Sequence, residues 1–135
     1  MVVWWAGAAV GGVAALGALI FGLYALAYAQ NDAWLGGYSY GCDGTACVAE
    51  HMGAALLCFG SVAVYGLLLA MAPFTSLRVL RAAGRVGLVW AAVTVALSVI
   101  GGWPGLVLLA PGPALMGTGS RMRRRAQERY LARSD

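Results

Sequence analysis

All nine arginines of the chain lie in two short stretches, Arg78, Arg81 and Arg85 in one and Arg121, Arg123, Arg124, Arg125, Arg129 and Arg133 in the other, and there is no lysine. Residues 1–31, 52–77 and 86–120 contain no Asp, Glu, Lys or Arg. An arginine at the centre of a membrane helix costs about 3 kcal/mol, and loops on the inner side of a membrane collect it. This partition therefore limits the chain to apolar helices that cross a bilayer, with both basic stretches on the cytoplasmic side. The rest of the composition agrees: 61% of the residues are hydrophobic and 10% charged, against roughly 25% charged in a soluble domain.

Residues 2–29 form one apolar run, long enough to cross a hydrocarbon core that needs about 20 residues. Ala27-Tyr28-Ala29 resembles a small-x-small cleavage site. The segment is nevertheless read as a retained helix, because it has no positive first residues and exceeds the usual apolar region of a signal peptide. A second helix is expected over about 48–72, ending at Pro73. The stretch from Val86 to Thr118 is too long for one simple span, and Gly101-Gly102-Trp103-Pro104 marks a turn within it. Short helices over about 86–101 and 104–118 follow, joined as a hairpin.

Parity then sets the topology. The two arginine stretches share a side, so two passes separate them and both termini are cytoplasmic, with residues 30–47 as an external loop. Tyr24, Tyr28, Trp34 and Trp103 fall near the outer interface, and Trp4, Trp5, Phe74 and Trp90 near the inner one, where aromatic belts form. The expected fold is an all-α integral membrane protein with four transmembrane helices in residues 1–118 and a basic cytoplasmic tail over 119–135. A re-entrant hairpin for the third and fourth helices is the alternative that charge alone leaves open. Abundant alanine, glycine and arginine without lysine point to a bacterial cytoplasmic membrane.

Small residues at Gly7, Gly11 and Ala15 recur at four-residue spacing, which lets two membrane helices approach closely. They mark either internal packing or an interface with a partner or a second copy. Pro111-Gly112-Pro113 falls in the middle of the expected fourth helix, where proline removes an amide donor and breaks the helix. Broken membrane helices can hold ions or substrates, so a small channel or transporter is the competing functional class.

Cys42 and Cys47 fall in the expected external loop, where an oxidising compartment favours a disulfide. Glu50 and His51 open the expected second helix, and Cys47, His51 and Cys58 share one of its faces by helical spacing. Glu50, His51 and Cys58 are the candidate functional site, with a membrane thiol-redox protein as a third class. Against redox chemistry, there is no C-x-x-C pair, and Cys47 and Cys58 are about 16 Å apart along a helix. One histidine gives too few converging ligands for a metal site, and no cofactor is expected.

No nucleophile–base pair or phosphate loop occurs, and no charge lies deep in a span, where proton-coupled transporters keep one. The function expected is therefore non-enzymatic: an accessory or assembly subunit, or a homo-oligomer, acting through helix packing. The partners expected are another membrane protein or a second copy, together with membrane lipids. In the tail, Met122, Ala126 and Tyr130 form a stripe, and Arg121, Arg123, Arg124 and Arg125 are placed to meet anionic headgroups on the inner leaflet. An acidic cytoplasmic partner is the second reading of the tail, and nucleic acid is not expected.

Overall fold

The computed structural model describes residues 2–29, 45–74 and 76–134. These form α1 (Val2–Ala29), α2 (Thr45–Met71), α3 (Leu77–Ile100), a 3-10 helix (Pro104–Leu109) and α4 (Pro111–Ser134), with no strand among the described residues. Three of the helices, α1, α2 and α3, are long and apolar enough to cross a membrane. Each helix runs antiparallel to the next: Gly22 lies beside Cys58 and Phe59 and Gly11 beside Tyr65, so α1 and α2 descend in opposite senses. α4 fills the gap between α1 and α3, and Gly112 meets Gly11, Gly119 meets Trp4, and Gly117 meets Gly84 and Gly87.

The breaks in the chain follow from backbone chemistry. α3 ends where Gly102 takes a φ of 77°, a left-handed conformation that glycine adopts without steric cost. The Trp103 amide then donates to the Ser98 carbonyl at 2.9 Å and the Gly102 amide to Val99 at 3.4 Å, a Schellman pair that occupies carbonyls the helix end leaves open. Pro104 opens the 3-10 helix, and Pro111 opens α4. Proline is tolerated at such first-turn positions because its missing amide has no partner there in any case. The Pro111-Gly112-Pro113 segment is thus the start of a helix, where the sequence pointed to a break in the middle of one. Its first regular bond is Ala114 to the Ala110 carbonyl, at 3.1 Å.

Two boundaries differ from the sequence expectation for one reason. α3 starts at Leu77 instead of near Val86, so Arg78, Arg81 and Arg85 are helical. α4 runs through to Ser134, so the basic tail continues a bundle helix and is no separate segment. Arginine is a good helix former, and no proline or left-handed glycine interrupts either stretch; charge limits a hydrocarbon span without ending a helix. The earlier start also moves Trp90 inward: its indole Nε1 donates to Ser61 Oγ at 3.1 Å, beside Gly60 and within the bundle.

The arginines collect at one end of the bundle. Arg121 packs over Gly84, and Arg123 Nη1 donates to the Ala72 carbonyl at 3.2 Å, just past the end of α2. Near that end Trp4, Ala8, Leu68, Ala83 and Met116 form one buried cluster. A second cluster toward the opposite end gathers Ala18, Ala25, Ala54, Ala55, Leu57, Cys58, Leu106 and Leu109. The buried hydroxyl of Ser61 donates to Leu57 O and that of Ser98 to Thr94 O, and Tyr65 donates to Ala8 O across α1 and α2.

The glycine contacts predict a sharp contrast. A Cβ on Gly112 would stand 2.5 Å from Gly11 Cα, whereas one on Gly17 would meet nothing within 4 Å. Gly112→Ala should cost about 2 kcal/mol through forced separation of α1 and α4. Gly17→Ala should instead gain up to about 1 kcal/mol of helix propensity. Denaturant unfolding of the purified chain in detergent reads both.

Candidate functional site

The richest group of chemistry-bearing side chains lies at the end opposite the arginines, around His51. α2 begins at Thr45, which puts Glu50 and His51 in its second turn. Glu50 is exposed there, beyond the first turn in which a carboxylate complements the positive helix end. His51 Nδ1 lies 2.9 Å from the Cys47 carbonyl oxygen. A carbonyl only accepts, so Nδ1 carries the proton in this contact. Cys47 Sγ is 3.5 Å from the same nitrogen.

Aromatic rings from α1 and from the turn before the 3-10 helix close around the imidazole. Tyr28 of α1 stacks on it with centroids 4.5 Å apart and an interplanar angle of 28°. Trp103, just before the 3-10 helix, meets it edge-on at 5.2 Å. Phe21 meets Trp103 edge-on at 5.6 Å, and Tyr24 lies between Phe21 and Tyr28. Stacked and edge-to-face arrangements are the favoured ones for rings of this kind. The cluster fastens the end of α1 to α2 and to the start of the fourth segment. Tyr28 and Trp103 stand out in sequence as interfacial aromatics; their contact with His51 depends on how the helices meet, which no local pattern records.

Cys58 is fully buried against Gly22 of α1. It lies about 10 Å below His51 in helical rise, so Glu50, His51 and Cys58 do not converge on one point. Cys42 is outside the described residues, and so is its expected bond to Cys47. Among the described residues, no group of three or more His, Cys, Asp or Glu side chains could hold a metal ion.

Two apolar recesses flank Trp103 and Leu106. The first, about 380 Å³, is walled by Ala14, Gly17, Ala18 and Phe21 of α1, Cys58 of α2, and Gly105, Leu108 and Leu109 of the 3-10 helix. The second, about 360 Å³, lies between α2 and α3 and includes Glu50, Gly53, Leu57 and Leu97. Gly17 and Gly105 have no neighbour within 4 Å of where a Cβ would stand. A 3-10 helix is narrower than an α-helix, and its glycine leaves the first recess open.

The small residues and prolines singled out in sequence have internal roles. Gly7 faces Leu115 and Met116, Gly11 faces Tyr65 and Gly112, and Ala15 is half-buried. Pro113 and Gly112 are buried, with Pro113 O against Gly87. Of the four arginines expected at headgroups, Arg123 caps α2, Arg124 lies 3.6 Å from Glu128, and Arg121 and Arg125 are exposed. No known protein family matches the chain, and no curated protein or solved structure matches it.

Replacing His51 tests the cluster. His51→Phe loses the bond to Cys47 O but keeps a ring for Tyr28 and Trp103, whereas His51→Ala loses that bond and both ring contacts. The alanine variant should lose about 1–2 kcal/mol relative to the phenylalanine variant through the ring contacts alone, measured by thermal unfolding in detergent.

Proposed function

We propose that the chain is a four-pass membrane protein acting without catalysis, as an accessory subunit that holds a transmembrane helix of a larger membrane polypeptide. The carrying observation is the open recess beside Gly17 and Gly105. Small residues let helix backbones approach closely where no hydrophobic drive exists. The glycines at 7 and 11, which the sequence offered for this purpose, are occupied by α4 and Tyr65. A smooth patch left for a partner is Ala14 and Gly17 with Gly105, backed by the buried Ala18.

The contacts of the fourth segment support four passes in preference to a re-entrant hairpin. Trp103 lies beside Phe21, Gly112 beside Gly11 and Gly119 beside Trp4. The segment thus accompanies α1 along most of its length. Six 3-10 residues and the ten from Pro111 to Ser120 rise together by about 27 Å, close to the hydrocarbon thickness of about 30 Å. With the arginine end cytoplasmic by the positive-inside rule, both termini face inward and His51 faces outward. A bacterial cytoplasmic membrane suits the composition, and a Cys42–Cys47 disulfide suits the outward loop.

Transport loses the support it drew from Pro111-Gly112-Pro113, since that segment begins a helix and is packed against α1 and α3. Thiol chemistry through Cys58 has no second thiol in reach among the described residues.

Extraction in mild detergent, followed by mass measurement of the intact complex, tests the assignment. A stoichiometric larger polypeptide should accompany the native chain and be lost from Gly17→Leu, while the variant's own unfolding midpoint stays unchanged. A native chain that runs alone, or a Gly17→Leu variant that keeps its partner, would sink the reading. For the disulfide, a thiol reagent should label only Cys58 in the unfolded, unreduced chain and all three cysteines after reduction.

A further inference from the structure

The exposed arginines of α4 are not scattered. Arg121, Arg125, Arg129 and Arg133 recur at four-residue spacing within one unbroken helix, and all four are exposed. Residues so spaced are neighbours on a helix surface, each turned about 40° from the last, so they form a ladder of four guanidinium groups about 18 Å long that winds partly round the helix. The other two arginines of the helix are engaged elsewhere, Arg123 on the Ala72 carbonyl and Arg124 beside Glu128. Like charges at this spacing repel one another and weaken an isolated helix. Such a ladder gains most from an anion that meets all four rungs.

Length and pattern decide between the available anions. The last buried residues of α4 are Gly119, packed on Trp4, and Ser120; the exposed Trp5 next to Trp4 is the kind of aromatic that marks a membrane boundary. The headgroup layer on one side is only about 5–8 Å deep. Arg121 and Arg125 reach lipid phosphates, but Arg129 and Arg133 lie about 12 and 18 Å beyond Arg121 along the helix. The apolar stripe of Met122, Ala126 and Tyr130 is narrow and flanked by Arg123, Arg129 and Arg133, and Leu131 lies on another side by helical rotation, so the broad apolar face needed to lie flat in the interface is missing. One aromatic side chain, Tyr130, lies among these arginines, too few for the run of base stacking that single-stranded nucleic-acid binders have.

We propose that Arg121, Arg125, Arg129 and Arg133 dock an acidic helical segment of a partner polypeptide, one carrying carboxylates at matching four-residue spacing. Guanidinium and carboxylate groups pair by two parallel hydrogen bonds, and equal spacing on two helices repeats that pairing along the ladder. The inference rests on the membrane orientation proposed above, but not on what fills the recess at Gly17.

The test uses the full chain in nanodiscs of phosphatidylcholine, which carries no net charge. The probe is a fluorescent helical peptide with four glutamates at four-residue spacing, and a glutamine version is the control. Anisotropy should show saturable binding of the glutamate peptide alone. The double variant Arg129→Gln/Arg133→Gln should weaken it roughly tenfold, since exposed ion pairs contribute modestly each. Arg78→Gln/Arg81→Gln, which leaves the ladder intact, should change it less than about twofold by the same reckoning. Gly17→Leu should leave it unchanged, which separates this result from the fate of the helix-holding role.

Absence of saturable binding, or equal weakening by the α3 variant, would overturn the proposal. So would protection of Arg129 and Arg133 from trypsin in nanodiscs of phosphatidylglycerol, which would lay the tail on lipid. Displacement of the peptide by a short RNA of equal affinity would also overturn it, in favour of nucleic acid.

Discussion

The approach of α4 to α1 and α3 through bare glycine surfaces holds the rest of this bundle in place. Gly112 against Gly11 and Gly117 against Gly87 leave no room for a single added carbon. In an apolar solvent, helix association depends on dispersion and on close backbone contact, and dispersion falls steeply once a gap opens. The seam fixes where α4 sits. It thereby brings the two basic stretches to one end and sends Trp103 to the other, where it meets His51 and Phe21.

The same seam explains why the apparent interface of the first helix is not available to a partner. A small-residue repeat states only that something approaches closely. Gly7 and Gly11 are met by this chain's own fourth helix and Tyr65, and what remains open is a set of positions further along α1, beside a thin 3-10 helix. The bundle is therefore closed along its arginine half and recessed near its aromatic half. Polar groups follow this division: hydroxyls of Ser61, Ser98 and Tyr65 are satisfied by local or neighbouring carbonyls, and among the described residues the charged side chains stay toward the two ends.

Charge and backbone proved to be separate kinds of information. The arginine runs limit how far an apolar span can extend, because desolvating a guanidinium is costly wherever it occurs. They say nothing of where a helix stops. Arg78, Arg81 and Arg85 lie in the first turns of α3, and the basic tail is the last three turns and more of α4. Pro111 and Pro113 carry the converse lesson. Proline reports a missing donor, and that means a break in mid-helix but an ordinary beginning in a first turn. Which applies depends on the preceding 3-10 helix, and that element has no distinct apolar period to announce it.

Sequence by itself determined the helical class, the two long apolar helices over about 2–29 and 48–72, the turn at Gly101-Gly102 and the gathering of the two arginine stretches at one end. Each of these is a local or additive property: hydropathy over a window, a conformation that glycine adopts at no cost, the transfer free energy of a side chain. Tertiary structure alone decided which glycines meet, that Tyr28 stacks on His51, that Cys58 stays apart from His51, and that a recess opens beside Gly17. These depend on the rotation and depth of one helix against another. In a chain whose helices carry small residues on several faces, many pairings share the same local pattern, and only the packing of the whole bundle selects among them.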